Sequence, residues 1–268
     1  MEFNIKPSLS DDRDYIYRSD STQVLREFVD LRQWDTLVES QDNLGSCSSN
    51  ALTNAYELMV NQKYPEYLKQ LSRLFIYYNT RADYGSIEKD NGIYLRDGLK
   101  TLLKFGVCSE ELWPYDTDQF DDRPTDDCYD DAKKRKILKY QRLISTYYIT
   151  EVLNNNNPVV FGMEIYNSFM DLNERISTVN FPSRKETSLG GHAMCMVGYD
   201  LTNRLFLAKN SFGPNWGDKG YCWIPFDYIK QEGYDIWTFE ITNQTGESNV
   251  LSETLPIPIL PQKVLQLL

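Results

Sequence analysis

The sequence has one histidine, His192, among 268 residues, so any reaction that needs an imidazole must use it. Its five cysteines include no CxxC pair, and no cluster of Cys, Asp or Glu has zinc-ligand spacing. We therefore expect no metal site. A glycine-rich phosphate-binding loop is also missing, which argues against a nucleotide-dependent enzyme. We predict that the chain uses no cofactor.

Positive charge is scarce as well. The 28 Lys and Arg residues are outnumbered by 39 Asp and Glu residues, which gives a net charge of −11 at pH 7. A surface of this sign repels phosphate backbones and anionic lipid headgroups. We therefore expect neither a nucleic acid nor a membrane as partner.

The first residues lack a basic start followed by an apolar run of signal-peptide length, and no later window approaches the length of a membrane span. A signal peptide and a transmembrane segment are thus not predicted, and the pattern indicates no compartment.

The cysteines are odd in number, so at least one thiol stays free in the monomer that we expect. They are Cys47, Cys108, Cys128, Cys195 and Cys222.

The apolar residues that are present change their spacing along the chain. Helical spacing follows Ser46, a predicted N-cap, and recurs over 65–80 and 93–105, where Gly106 ends the helix in the C′ position. After about residue 140, short apolar runs separated by Gly, Asn, Asp and Pro predict strands. A helical half therefore precedes a half made of sheet, as in an α+β fold.

This pattern divides the chain into four segments. Residues 1–28 are a polar N-terminal extension, 29–140 a helical lobe and 141–245 a β lobe. Residues 246–268, with three prolines near the middle and an apolar end, are predicted to be a C-terminal tail.

The first candidate for chemistry is Cys47, which ends the run Gln-Asp-Asn-Leu-Gly-Ser-Cys and begins the first helix. A thiol at a helix N-terminus faces the positive end of the helix dipole, which favours the thiolate. Gln41, six residues upstream, can point its amide into the same pocket. Taken alone, such a cysteine is more often an inert buried thiol.

Two later segments supply candidate partners. His192 follows a predicted Gly-Gly loop and opens a strand, and Asn210 ends another strand in Lys-Asn-Ser-Phe-Gly. Taken alone, His192 would be an ordinary core or surface histidine and Asn210 a turn residue. The order of the three segments along the chain is what makes them informative.

Together these segments resemble the papain/cathepsin family of cysteine peptidases, and they look closest to its bacterial and large-virus branch. His192 lies 145 residues after Cys47, within the spacing of about 130–150 that is known for papain and cathepsins. The likeness extends from about residue 29 to about residue 243. The matching residues are Gln41, Gly45-Ser46-Cys47, His192-Ala193, Gly198-Tyr199, Lys209-Asn210-Ser211-Phe212-Gly213, Trp216-Gly217 and Gly220-Tyr221.

The resemblance implies a two-lobed α+β fold with a helical N-terminal lobe, an antiparallel β-barrel-like C-terminal lobe and the active site in the cleft between them. It implies that Cys47 is the nucleophile, His192 the acid and base, Asn210 the group that orients the imidazole, and Gln41 an oxyanion-hole donor. The expected reaction is hydrolysis of a peptide or protein through a Cys47 thioester, as an endopeptidase. The residues implied in substrate binding are Gly92, Ile93, Ala193, Gly191 and Trp216.

Several residues depart from the family's pattern without removing a reacting group. Ser48 and Phe212 each replace a usual Trp, and Gly191 replaces a usual Asp or Asn. These changes leave two alternatives open, a catalytically weak or inactive papain-fold binding protein and an acyl transferase of the transglutaminase or ligase type. Leu44 stands where the family often has a disulfide cysteine, which leaves Cys108 with Cys128 as a candidate pair.

Family members are usually held inactive by an N-terminal segment that lies in the cleft. Residues 1–28 are therefore either a short blocking propeptide, with Tyr15 or Tyr17 in a subsite, or an arm packed onto the body. Asp235 is a candidate for the residue that closes the substrate pocket, although its position favours a solvated turn.

Overall fold

The computed structural model describes residues 3–9, 11–19 and 23–244, so the predicted C-terminal tail lies outside the described residues. Seven α-helices occur in these ranges. Four lie within residues 47–132 and three within residues 146–232. They are α1 Cys47–Lys63, α2 Arg73–Asp83, α3 Leu95–Lys104, α4 Asp126–Ala132, α5 Thr146–Asn154, α6 Asn167–Met170 and α7 Phe226–Glu232.

The strands form one sheet. They are β1 Phe3–Asn4, β2 Phe28–Asp30, β3 Ile137–Arg142, β4 Val159–Tyr166, β5 Ser188–Asp200, β6 Leu205–Lys209, β7 Tyr221–Pro225 and β8 Gly233–Ile241. Antiparallel pairing gives the order β3-β8-β4-β5-β6-β7, and β1 and β2 both add to β5. The α+β prediction is confirmed. Because the path ends at β3 and β7, the sheet of the described residues is open and not a closed barrel.

Helix α1 is buried along residues 47–60, which is unusual for a helix with so many small polar residues. Its hydroxyls are satisfied internally, since Ser48 donates to the carbonyl of Ile93 at 2.8 Å and Thr53 to that of Asn50 at 3.0 Å. Ser46 is the N-cap residue, as predicted, but its hydroxyl accepts no hydrogen bond from a backbone N–H of the first helical turn. It contacts the hydroxyl of Tyr115 instead.

The predicted helix over 65–80 is wrong in its first half. Pro65–Tyr67 form a single 3₁₀ turn, and α2 begins only at Arg73. The cause is a side-chain cap, because the Ser72 hydroxyl accepts a hydrogen bond from the Phe75 N–H at 3.1 Å. The end of α3 agrees with the sequence, since Gly106 follows it with φ +85°.

A buried ion pair joins the β lobe to the loop before α1. The Lys209 ammonium lies 2.9 Å from the Asp35 carboxylate and also donates to the carbonyl of Thr36. The other Asp35 oxygen accepts from the Tyr221 hydroxyl at 2.9 Å. Neither charge has access to water, so removing one partner would leave the other uncompensated.

All five cysteines are free and buried. Cys108 and Cys128 share a small apolar cluster with Phe75 and Ala132, and burial together with the neighbouring Cys128 thiol raises the pKa of Cys108. The candidate disulfide between them is not formed, since both thiols are free. Across the described ranges, no group of three or more His, Cys, Asp and Glu residues is arranged to hold a metal ion. Among the same residues, no helix is long and apolar enough to cross a membrane.

The turn at Gly106 yields a stability prediction. A Cβ on Gly106 would lie 2.0 Å from the carbonyl oxygen of Ala132, whereas one on Gly85, at φ +66°, would meet nothing within 4 Å. Both Gly→Ala changes carry the cost of a left-handed residue, about 1–2 kcal/mol, but only Gly106→Ala adds a backbone clash. We expect Gly106→Ala to lower the melting temperature clearly more than Gly85→Ala, measured by calorimetry. Equal losses would contradict the predicted clash.

Candidate active site

The four predicted catalytic residues come from separate elements. Cys47 is the first residue of α1, Gln41 lies in the loop before it, His192 is within β5, and Asn210 directly follows β6. All four are buried. The structure therefore brings together side chains that are up to 169 positions apart in the sequence.

The Gly-Gly loop predicted before His192 is instead part of strand β5, which begins at Ser188. Gly190 and Gly191 pair with β4 on one side and with the N-terminal strand on the other. Their lack of a side chain permits this, because a Cβ on Gly191 would lie 2.1 Å from the Ile5 carbonyl oxygen and one on Gly190 equally close to that of Phe3.

The Cys47 sulfur faces hydrogen-bond donors. The backbone N–H groups of Ala193, Ser48 and Cys47 and the side chain of Gln41 all act to lower the pKa of its thiol. Two of these N–H groups belong to the first turn of α1, and the third belongs to the residue after His192. The thiol thus lies where the helix N-terminus meets β5.

The His192 ring is held by one hydrogen bond and by aromatic neighbours. Its Nε2 lies 2.7 Å from Oδ1 of Asn210, and the same oxygen accepts the Ser211 N–H at 2.8 Å. Phe212 covers the ring at a centroid distance of 4.8 Å, and Phe169 lies at 5.9 Å. Within the described residues Nδ1 has no hydrogen-bond partner, so it is the ring nitrogen left for proton exchange.

The Gln41 side chain has a fixed orientation. Its Oε1 accepts from the Ser211 hydroxyl at 2.6 Å, and its Nε2 donates to the carbonyl of Leu44 at 2.9 Å. A carbonyl can only accept, so the amide nitrogen is the atom on that side. The Gln41 backbone is anchored too, because its carbonyl accepts from Tyr115 and its N–H donates to Ser211.

Burial sets the charge states of Cys47 and His192 in this structure. Desolvation raises the pKa of the Cys47 thiol to about 11 and lowers the pKa of the His192 imidazole to about 4. The hydrogen bond to Asn210 opposes the second shift without cancelling it. At neutral pH the thiol and the imidazole are therefore both uncharged while they stay buried.

The N-terminal segment contributes to this burial. Phe3 packs edge-on against the His192 ring at 5.6 Å and also contacts Phe212. The carbonyl of Ile5 accepts from the Tyr234 hydroxyl at 3.2 Å. Further on, the backbone N–H and hydroxyl of Ser8 both donate to Asp235, at 2.9 and 2.6 Å. Residues 3–8 thus lie across the site.

Of the two alternatives for the tyrosines of the N-terminal extension, the subsite is wrong and packing onto the body holds for Tyr17. Tyr15 is 76% exposed, and Tyr17 packs against Tyr148, so neither reaches a subsite. Phe3 and Ile5 were missed, although their alternation in Phe-Asn-Ile is a strand signal. Asp235 is 1% exposed within β8, which excludes the solvated turn.

The residues expected to bind substrate lie around the four described above. Gly92 and Ile93 line a cavity of about 230 Å³ together with Ile5 and Lys6. Gly191 is covered by β1, and Ala193 adjoins the Cys47 sulfur. Trp216 packs against Phe169 at 4.9 Å in the aromatic cluster around His192.

Comparison with known proteins assigns the family. The family model described as papain family cysteine protease matches residues 25–235. The chain belongs to this family. The match covers every element that carries Gln41, Cys47, His192 and Asn210, and it makes this protein a papain-like cysteine peptidase.

Relatives in this family include viral, bacterial and animal proteins. The chain is 36% identical to an uncharacterized peptidase C1-like protein of Acanthamoeba polyphaga mimivirus over 81% of this chain and 76% of that one. It is similar to the crystal structure of xylellain, a cysteine protease from Xylella fastidiosa, with a TM-score of 0.80 and 34% identity over 90% and 96% of the two chains. Cathepsin S of Bos taurus is 28% identical over 78% of this chain and 62% of its own length.

The raised pKa of Cys47 gives a pH prediction. The thiolate is the reactive form, so alkylation of Cys47 in the full chain should accelerate steadily between about pH 6 and about pH 10, without a plateau. The rate can be followed by mass spectrometry of the Cys47 peptide after iodoacetamide treatment. Cys47→Ser supplies the background from the other thiols. A rate independent of pH from about 6 to 8 would mean that the thiolate already forms in the covered site.

Proposed function

We propose that this papain-like peptidase hydrolyses peptide bonds through a Cys47 thioester, with His192 as acid and base. The observation that carries the proposal is the geometry of the imidazole. Asn210 holds its Nε2 at 2.7 Å, so Nδ1 is left to exchange a proton with the thiol. The aromatic cover of Phe212 supports this arrangement by keeping water from the Asn210 contact.

Acylation begins when the Cys47 proton moves to Nδ1 of His192, giving a thiolate and an imidazolium. The thiolate attacks the peptide carbonyl carbon, and the resulting oxyanion accepts from the Cys47 N–H and from Nε2 of Gln41. His192 then donates the proton to the leaving nitrogen, and the amine product departs. The acyl group remains on the sulfur as a thioester.

Deacylation uses the same groups in reverse. His192, now neutral, takes a proton from water, and the oxygen attacks the thioester carbonyl. The second oxyanion uses the same two donors. When it collapses, the carboxylic acid product leaves and the sulfur recovers the proton from His192. The cycle consumes one peptide bond and one water and leaves the enzyme unchanged.

We further propose that residues 3–8 block the cleft of the resting enzyme. Their cover explains why both reacting groups are uncharged, because the thiolate and imidazolium lose hydration there. Within the described contacts, no carbonyl of this segment accepts from Nε2 of Gln41 or from the Cys47 N–H. The segment therefore covers the His192 ring without presenting a bond for cleavage.

The catalytic assignment predicts graded losses of activity. Cys47→Ala should abolish hydrolysis, and Gln41→Ala should lower kcat/KM by roughly 10²–10³, as loss of an oxyanion-hole donor does elsewhere. The measurement is cleavage of a fluorogenic peptide library, with Gln231→Ala, at an exposed position of helix α7, as the matched control. Retained cleavage by Cys47→Ala would overturn the assignment. An amide product formed only with an added amine would instead favour acyl transfer.

The blocking segment predicts activation by substitution. Phe3→Ala with Ile5→Ala, here called the opened variant, removes two apolar side chains from the cleft, a loss of about 2 kcal/mol or more in burial. We expect a peptidyl epoxide to label Cys47 at least about tenfold faster in the opened variant than in the unchanged chain. Leu9→Ala is the control, because Leu9 is 82% exposed. Equal labelling rates in all three proteins would refute the block.

A further inference from the structure

The turn that leads into Cys47 is tied to another loop by a single carboxylate. The Gly45 N–H donates to both oxygens of Asp90, each at 3.0 Å. The Tyr77 hydroxyl also donates to Asp90, and its oxygen accepts the Gly92 N–H at 3.3 Å. Asp90 thus connects the residue two positions before the nucleophile with the loop that lines the cavity at Gly92.

The peptide unit between Leu44 and Gly45 is held at both ends. Its N–H is bound by Asp90, and its C=O accepts from Nε2 of Gln41. Rotating this peptide unit would therefore move the atom that orients the Gln41 amide. The Asp90 carboxylate lies so close to the Gly45 backbone that a Cβ on Gly45 would be 2.9 Å from Oδ1 of Asp90.

The Asp90 loop is itself fastened from the helical lobe. The Arg81 side chain is fully buried and donates to the carbonyl of Lys89 at 3.1 Å. Its guanidinium also lies over the Tyr77 ring, 4.2 Å from the centroid. Asp90 therefore has a fixed place from which to hold Gly45, and its negative charge suits an acceptor near the start of α1.

We propose that Asp90 is a positioning residue for the oxyanion hole. It acts through the Leu44–Gly45 peptide unit on Gln41 and Cys47, and through Tyr77 on Gly92. This inference rests on the proposed hydrolysis at Cys47. It adds that one carboxylate outside the reacting set aligns the oxyanion donors and the substrate-binding loop.

The test separates positioning from general damage. In the opened variant, Asp90→Ala should lower kcat for peptide hydrolysis by about 10- to 100-fold, because the oxyanion donors lose alignment. Alkylation of Cys47 by iodoacetamide forms no oxyanion, so its rate should stay within about twofold. Asp90→Asn keeps one carbonyl acceptor, so its kcat should lie between that of Asp90→Ala and that of the opened variant. Asp83→Asn, at an exposed ion pair with Lys104, should change neither rate.

Tyr77→Phe tests the other arm of the network. It leaves Gly45 bound to Asp90 but removes the hydroxyl that contacts Gly92, so we expect KM to rise about three- to tenfold with kcat nearly unchanged. An equal loss of kcat in Tyr77→Phe and Asp90→Ala would overturn the division of roles. So would a kcat for Asp90→Ala within about twofold of the opened variant.

A readout without turnover keeps this inference distinct from the proposed reaction. In the otherwise unchanged chain, Asp90→Ala should speed hydrogen exchange of the Gly45 amide at least about tenfold, because that N–H loses a charged acceptor. Faster exchange with no hydrolysis by the opened variant would refute the reaction and retain the positioning. Unchanged exchange would refute the positioning even if the enzyme is active.

Discussion

The candidate active site depends on the packing of helix α1, which begins at Cys47, against strand β5, which carries His192 and Ala193. It brings Cys47 to Ala193, the residue that follows the single histidine of the chain. Neither element can shift alone. Helix α1 is buried along most of its length, and β5 pairs with β1, β2, β4 and β6. The rest of the fold supports this contact by packing around it, which suits chemistry that tolerates little misplacement.

Desolvation of such a site strengthens its hydrogen bonds but disfavours its charged groups. A dry environment strengthens the contact of His192 with Asn210 and makes the oxyanion donors more effective. The same environment opposes the charges on which the nucleophile relies, as the pKa values of Cys47 and His192 show. A segment that is added to or withdrawn from the cleft edge therefore changes reactivity without altering any reacting group. Hydrogen bonds hold the surrounding loops, and Asp90 binds Gly45, next to Leu44, where the family often has a disulfide cysteine.

Much of this arrangement could be read from the sequence, because local patterns carry it. The order of the segments around Cys47, His192 and Asn210 indicated the family, and apolar runs indicated the five main strands from β4 to β8. The features that could not be predicted depend on contacts between segments that are far apart in the sequence. Strands β1 and β2 are two and three residues long and exist only because β5 offers them an edge. The burial of Asp235 likewise depends on Ser8, which is 227 positions away.

The presence of a single histidine has a practical consequence. In most enzymes a probe of imidazole groups reports a mixture of catalytic and surface residues, whereas here every such signal comes from His192. Its ring protons should appear as one isolated pair of resonances, displaced by the ring currents of Phe3, Phe169 and Phe212. Any event that uncovers, protonates or occupies the cleft would shift that pair. The protein thus contains its own spectroscopic reporter in the candidate active site, and no label is needed.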